Sequence, residues 1–228
     1  MTDFVTEERF AGPDRFIDIS RPIGPATLCW PGREPPCHEW VKRIANGDHC
    51  NSSNWQFNAH TGTHLDAPAH FLEGGKSVDQ LDPSVFFGEC RVVDIRSRED
   101  LHVDDCLASQ WQGATRLLIR TLHSSLADCD KYLPHGGLLS TSAASILLAA
   151  GLKLIGTDRF SIDDSESKAF LLHHKLLHAG CVILEGLNLA NVTPGHYALV
   201  AAPLRFIGAE ASPVRAFLWD AGHRRTAS

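Results

Sequence analysis

Residues 153–185 read KLIGTDRFSIDDSESKAFLLHHKLLHAGCVILE, placing a β-rich run, a helical segment and a second β-rich run in one stretch of chain. Lys153–Gly156 and Cys181–Glu185 are short and rich in branched apolar residues, which suits strands buried in a sheet. Between them, Ser165 to Ala179 follows Asp163-Asp164, whose carboxylates can accept from the free N–H groups of a helix start. The segment stops at Gly180, a residue suited to a left-handed cap. The same grammar recurs upstream. Cys90–Ile95 and Arg116–Thr121 read as buried strands, and Ser140 to Ala150 reads as a helix opened by Ser/Thr caps and closed at Gly151. Nearer the N-terminus, Arg15–Ser20 (RFIDIS) alternates apolar and polar residues and predicts a first strand, ended by the turn chemistry of Pro22, Gly24 and Pro25. A strand- and loop-rich first half followed by alternating strands and helices predicts an α/β fold: one compact domain on a central mixed sheet. With no internal repeat or Pro/Ser-rich linker, the expected division is a lead-in at 1–14, a domain at 15–222 and a tail at 223–228.

Composition narrows the function classes. The 228 residues are 43% hydrophobic and 21% charged, enough apolar material for one core and too much for a disordered chain. A net charge of -6 offers no basic footprint for phosphates, so no nucleic-acid partner is expected. No run approaches the ~18 apolar residues of a membrane span, and MTDFVTEERF lacks a basic-then-apolar leader. A cytoplasmic protein that does not engage membranes is expected. The cysteines at 29, 37, 50, 90, 106, 129 and 181 form no C-x-x-C pair and read as free thiols.

Histidine is the compositional oddity, and its clustering carries the signal. The densest cluster is His60-Thr-Gly-Thr-His64-Leu-Asp66-Ala-Pro68-Ala-His70-Phe71. A helix would set Asp66 roughly opposite His60 and His64, and Gly62 and Pro68 disfavour helix in any case. On an extended chain His60, His64 and Asp66 share parity and point to one side. A straight strand, however, would part the two histidine α-carbons by ~13 Å at ~3.3 Å per residue. Both rings can meet one ion only if the chain curls between them, and Gly62 permits that curl. An isolated H-x-x-x-H is more often a pair of core or surface histidines; here Asp66, Gly62 and His70 accompany it, and the reading moves to a metal site.

A second donor group lies in Phe170-Leu-Leu-His173-His174-Lys-Leu176-Leu177-His178 and the strand ending at Glu185. On a helix His173 shares the apolar face of Phe170, Leu176 and Leu177, whereas His174 and His178 share another. His173 with Glu185, at a strand's C-terminal end where α/β proteins place their sites, is one candidate pair. An i, i+4 pair of His174 and His178 is the other.

The 60–71 run resembles the signature of the cyclase family of metal-dependent hydrolases, which includes bacterial kynurenine formamidases (arylformamidases) and isatin hydrolases. The resemblance extends through Asp18-Ile-Ser20, Trp30-Pro-Gly32, Gly156-Thr-Asp158, Ser161-Ile-Asp163, His173-His174, Glu185-Gly-Leu187, Ala202-Pro-Leu204 and Ala211-Ser-Pro-Val-Arg-Ala216. It implies a swivelling β/β/α fold, usually dimeric. It also implies one metal on His60, His64 and Asp66, a second bridged by Asp66 and held by His173 and Glu185, and a catalytic role for His70. One departure stands out: the family commonly carries an aspartate after Trp-Pro-Gly, and this chain has Arg33. That reversal bears on the substrate and could supply a guanidinium for a substrate carboxylate.

The expected activity is metal-dependent hydrolysis of an aryl formamide, N-formyl-L-kynurenine giving L-kynurenine and formate. A cyclic amide of the isatin type is the alternative substrate, and a non-catalytic metal- or ligand-binding protein the alternative class. The cofactor expected is Zn²⁺, with Mn²⁺ also compatible, at one or two ions per chain. Trp30, Trp55 and Phe71 are the aromatic candidates for a pocket around a small-molecule substrate, Trp30 and Phe71 foremost. Neither a G-x-S-x-G elbow nor a Gly-rich phosphate loop after a predicted strand occurs, leaving serine-hydrolase and nucleotide-binding readings unsupported.

Overall fold

A computed structural model describes residues 16–96, 102–126 and 136–219. The expected lead-in at 1–14 and tail at 223–228 lie outside the described residues. In chain order the strands are β1 (Phe16–Asp18), β2 (Cys37–Lys42), β3 (Ser52–Gln56), β4 (His64–Asp66), β5 (Phe87–Asp94) and β6 (Arg116–Arg120). They continue as β7 (Leu154–Thr157), β8 (Val182–Glu185), β9 (Gly195–Val200), β10 (Ala211–Pro213) and β11 (Phe217–Trp219). The α-helices are α1 (Asp105–Ser109), α2 (Thr141–Ala149) and α3 (Leu171–His178). The expected strands at 15–20, 90–95, 116–121, 153–156 and 181–185 all form, with ends shifted by a few residues.

The main sheet runs β1-β11-β9-β5-β6-β7-β8-β4-β10, and β2 pairs only with β3 in a separate hairpin. Its centre, β5-β6-β7-β8, is parallel, and the outer strands join antiparallel, so the sheet is mixed as expected. Parallel strands need crossover connections, supplied here by α1, α2 and α3, and they need cover on both faces. Alternation along β6 shows how both faces are filled. Leu117 and Ile119 enter one core with Val93, Ile155 and Ile183, while Leu118 enters a second core with Val92, Leu154 and Leu184. The helices seal the first core through Ala144, Leu147, Leu172 and Leu176; loops and outer strands close the second through Ile19, Leu65, Leu189 and Leu218. At ~25 cal/mol per Å² of apolar surface removed from water, these two layers supply the main drive for folding.

Helix α2 matches expectation, with the Ser140 hydroxyl accepting from the Ala143 N–H. Helix α3 does not. It begins at Leu171, so Ser165–Phe170 is loop rather than its first turns. The reason lies in Asp163. Instead of capping the residues just after it, its carboxylate reaches nine and ten positions on, to the N–H groups of Leu172 and His173 (both 2.9 Å). Phe170, at φ 45 and ψ 43, turns the chain into the helix.

Candidate metal centre

The segment that carries His60 and His64 is shaped by its turn. Asn58 accepts from the His60 N–H through its side chain and from the Thr61 N–H through its carbonyl (both 3.0 Å), and Gly62 then takes φ 65. This left-handed residue is the curl that spacing demanded. A neighbouring constraint comes from Gly186, also left-handed at φ 67, where a Cβ would stand 2.4 Å from the Gly62 carbonyl oxygen. Beyond the turn the chain enters β4, where His64 pairs in register with Glu185 of β8, antiparallel. Parity then sends His64, Asp66 and Glu185 to the helix-covered face and Leu65 to the other core. His173 arrives from α3 on the same side, on the face that carries the buried Leu172, Leu176 and Leu177. His174 and His178 lie on the exposed face of α3, which overturns their candidacy as a ligand pair at this centre.

The donor atoms converge on Asp66, which is fully buried. His60 Nδ1 is 2.9 Å from Asp66 Oδ1, and His64 Nε2 is 3.6 Å from the same oxygen. His173 Nε2 is 3.6 Å from Asp66 Oδ2 and 3.4 Å from Glu185 Oε1, while Glu185 Oε2 is 3.6 Å from His64 Nε2. His60, His64 and Asp66 offer donor atoms all within 4.8 Å of one another, and so do Asp66, His70 and His173. The structure therefore brings together all six residues singled out from the sequence, with His70 close enough to serve either as a ligand or as an unligated base.

Each of three imidazoles is aimed by an outer acceptor on its other nitrogen. The His64 Nδ1 faces the Gly62 carbonyl at 3.1 Å; a carbonyl only accepts, so Nδ1 carries the proton and Nε2 is left for the cluster. His173 Nδ1 donates to Asp163 at 2.7 Å, again freeing Nε2. For His60 the roles reverse: Nε2 lies 3.3 Å from Glu210 and Nδ1 faces Asp66. Glu185 is held in turn by the Ile162 N–H at 2.7 Å. Glu210 was not marked by the sequence and Asp163 only as a helix-start acid, because an acid that orients an imidazole has no fixed spacing from it.

The centre fits a divalent cation on a direct observation. Both Asp66 oxygens are buried, yet neither accepts a hydrogen bond of adequate geometry, although three imidazole nitrogens surround them. A buried carboxylate left so exposed to electrostatic cost calls for positive charge at that point. The imidazole and carboxylate donors suit Zn²⁺ or Mn²⁺. In the metal-free state the neighbours substitute for that charge. Burial pushes the Asp66 carboxyl upward, but His64, His173 and His60 outweigh it and hold it well below the ordinary range. Burial likewise opposes protonation of His173, yet Asp163, Asp66 and Glu185 raise it well above the usual histidine value, and Asp66 leads a similar rise at His60. His70 goes the other way. Burial, aided by the His60, His173 and His64 imidazoles against Asp66, pushes it down to about 4, which leaves the ring neutral at pH 7 in the metal-free protein.

A cavity opens onto these groups, lined also by Trp30, Arg33, Phe71, Phe160 and Phe170. Trp30 and Phe71 both line this cavity, and Phe71 packs on His70 and His173 with ring centroids 4.4 and 4.7 Å away. Trp55 does not line it. It sits half-exposed on the β2–β3 hairpin, stacked on His38 at 4.4 Å.

Fold and donor set define an α/β protein with a buried centre suited to divalent cations at the strand end of its sheet. Residues 17–164 match the family described as putative cyclase, and the chain belongs to that family. The kynurenine formamidase of Salinibacter ruber is 38% identical over 208 residues, covering 90% of this chain and 97% of that protein. A solved structure described as a potential metal-dependent hydrolase with cyclase activity superposes with a TM-score of 0.77 at 26% identity, covering 92% of this chain and 99% of the other. Isatin hydrolase A from Ralstonia solanacearum shares the fold, with a TM-score of 0.75 at 24% identity over 90% and 91% of the two chains. The resemblance read from the 60–71 motif is borne out by the family match and the formamidase relative.

Proposed function

We propose that this chain is a metal-dependent amidohydrolase that converts N-formyl-L-kynurenine and water to L-kynurenine and formate, acting in tryptophan catabolism. The observation that carries the reading is the buried, unsatisfied Asp66 carboxylate ringed by His60, His64 and His173, which themselves line an aromatic-walled cavity. The 38% identical formamidase relative supports the substrate class.

His60, His64 and Asp66 would hold one cation, and His173 and Glu185, beside Asp66, would supply donors for a second. Zn²⁺ suits the donors first and Mn²⁺ second. A bound divalent cation supplies Lewis-acid polarisation of the formyl oxygen and makes water more acidic. The His70 ring takes the proton from the attacking water as the oxygen bonds to the formyl carbon. It then delivers that proton to the aniline nitrogen as the C–N bond breaks, because an arylamide anion is a poor leaving group. Trp30 and Phe71 flank the aryl ring, and the burial of the donors limits stray water.

The working unit in this reading is a cytoplasmic homodimer of a domain spanning 15–222, with no nucleic-acid or membrane partner. No helix among the described residues is long and apolar enough to cross a membrane. The β2–β3 hairpin leaves Trp40, Val41, Ile44 and Trp55 exposed, an apolar surface that a second copy would cover. The decisive experiment is elemental analysis of the purified protein, followed by kinetics on N-formyl-L-kynurenine and isatin with each metal restored. Metal-dependent turnover of the formamide is expected. Turnover of isatin with the formamide untouched would reject the substrate, and no bound metal after reconstitution would reject the centre.

A further inference from the structure

Four aromatic rings and one guanidinium share the cavity above the donor cluster. Among the described lining residues Arg33 is the single arginine or lysine, and it is exposed. No ion pair engages it among the described residues, in contrast to Arg96 and Arg215, which are paired with Asp94 and Asp18. Its backbone is held beside Trp30, the Arg33 N–H donating to the Trp30 carbonyl at 3.0 Å. Glu185 lines the cavity with the His60, His64, His70 and His173 imidazoles, and Asp66 is buried against His60, His64 and His173. The cavity is thus bipolar: imidazole and carboxylate donors in one part of its lining, aromatic walls, and an exposed cation with no ion-pair partner among the described residues.

We propose that Arg33 forms an anion subsite that selects aryl amides carrying a carboxylate. This deepens the hydrolase reading and rests on it for the position of the amide. The planar guanidinium can meet a carboxylate with two parallel N–H donors, a fit that an ammonium lacks. Its charge also disfavours a substrate whose free end is only cationic. An aryl ring between the aromatic side chains then spans from the scissile amide at the donors to the acid at Arg33. Selection comes from two effects of the same sign, attraction of the anion and repulsion of an unaccompanied cation.

The test is calorimetric binding of L-kynurenine and of kynuramine, its decarboxylated counterpart, to the full-length metal-loaded protein and to Arg33→Ala, Arg33→Lys and Arg33→Glu. Turnover of the two N-formyl derivatives is measured in parallel. The wild type is expected to favour the carboxylate ligand by about tenfold, the scale of one charge-assisted contact at a solvated site. Ala should remove the preference, Lys should retain part of it, and Glu should invert it toward kynuramine, which a merely structural role for Arg33 would not do. Equal wild-type affinities, or a preference that survives Ala and Glu, would overturn the subsite. Binding preference without turnover of either formamide would leave the subsite standing and reject the formamidase reading; turnover without preference would do the reverse.

Discussion

Replacing Asp163 by Asn tests whether the centre depends on groups that never face the cavity. Asp163 is buried and serves three donors: the Leu172 N–H, the His173 N–H and His173 Nδ1. Asn keeps one carbonyl oxygen and turns an NH₂ toward donors that need an acceptor. Loss of a helix cap costs about 1 kcal/mol, and loss of a charge-assisted hydrogen bond costs about 1.5–3 kcal/mol. Together that is about 3 kcal/mol, which at about 2–4 °C per kcal/mol for a chain of this size lowers Tm by about 6–12 °C. The His173 ring is also freed to turn, and loss of such an outer acceptor weakens metal binding about 10- to 100-fold. The sign of the pH dependence follows from the two partners. The Asp163 carboxyl, pushed up by burial but lowered overall by His173 and two backbone N–H groups, contributes stability above about pH 3.9 that is lost as pH falls through its depressed value. His173, raised above its ordinary value, contributes stability that is full below about pH 6.5 and fades as pH rises through the raised value. The stability gap between wild type and variant in metal-free protein should therefore be widest between about pH 4 and 6.5. Thermal unfolding across pH and a metal titration read both effects. A Tm within about 2 °C of wild type, together with metal affinity within about twofold, would refute this account of how His173 is held.

Metal binding should release protons near pH 6.5, because His60 and His173 must surrender the protons that their acidic neighbours favour; calorimetry in buffers of different ionisation heat measures the number, and zero release would contradict the cluster chemistry. His70→Ala should lower kcat by about 10²–10⁴-fold while retaining bound metal; loss of metal with activity would make His70 a ligand instead. Gly186→Ala should destabilise by more than about 2 kcal/mol, from a left-handed alanine and a Cβ driven against the Gly62 carbonyl, and should weaken metal binding as the 60–64 turn shifts. By contrast, His174→Ala combined with His178→Ala should leave metal content unchanged by elemental analysis, since both lie on the exposed face of α3.

The sequence alone marked His60, His64 and Asp66 as candidate donors and determined the α/β character of the fold. Period-two spacing selected His60, His64 and Asp66, and the distance a straight strand would impose demanded a curl at Gly62, which the φ of 65 supplies. Short β-rich runs separated by capped segments marked the central strands. These are local properties, written in a few neighbouring residues. Tertiary structure decided what depends on partners distant in the chain. Spacing could not choose between His173 and the His174/His178 pair; packing of α3 did so by burying one face of that helix and exposing the other. The late start of α3 was hidden because Asp163 spends its acceptors nine and ten residues away instead of on the next turn. Trp55 carried the same aromatic signal as Trp30, yet its hairpin leaves the main sheet and takes the ring away from the cavity. The register of β4 against β8 brings Glu185 opposite His64, 121 positions apart in sequence. A ligand set belongs to a point in space, and only strand pairing and helix packing convert separate chain segments into one.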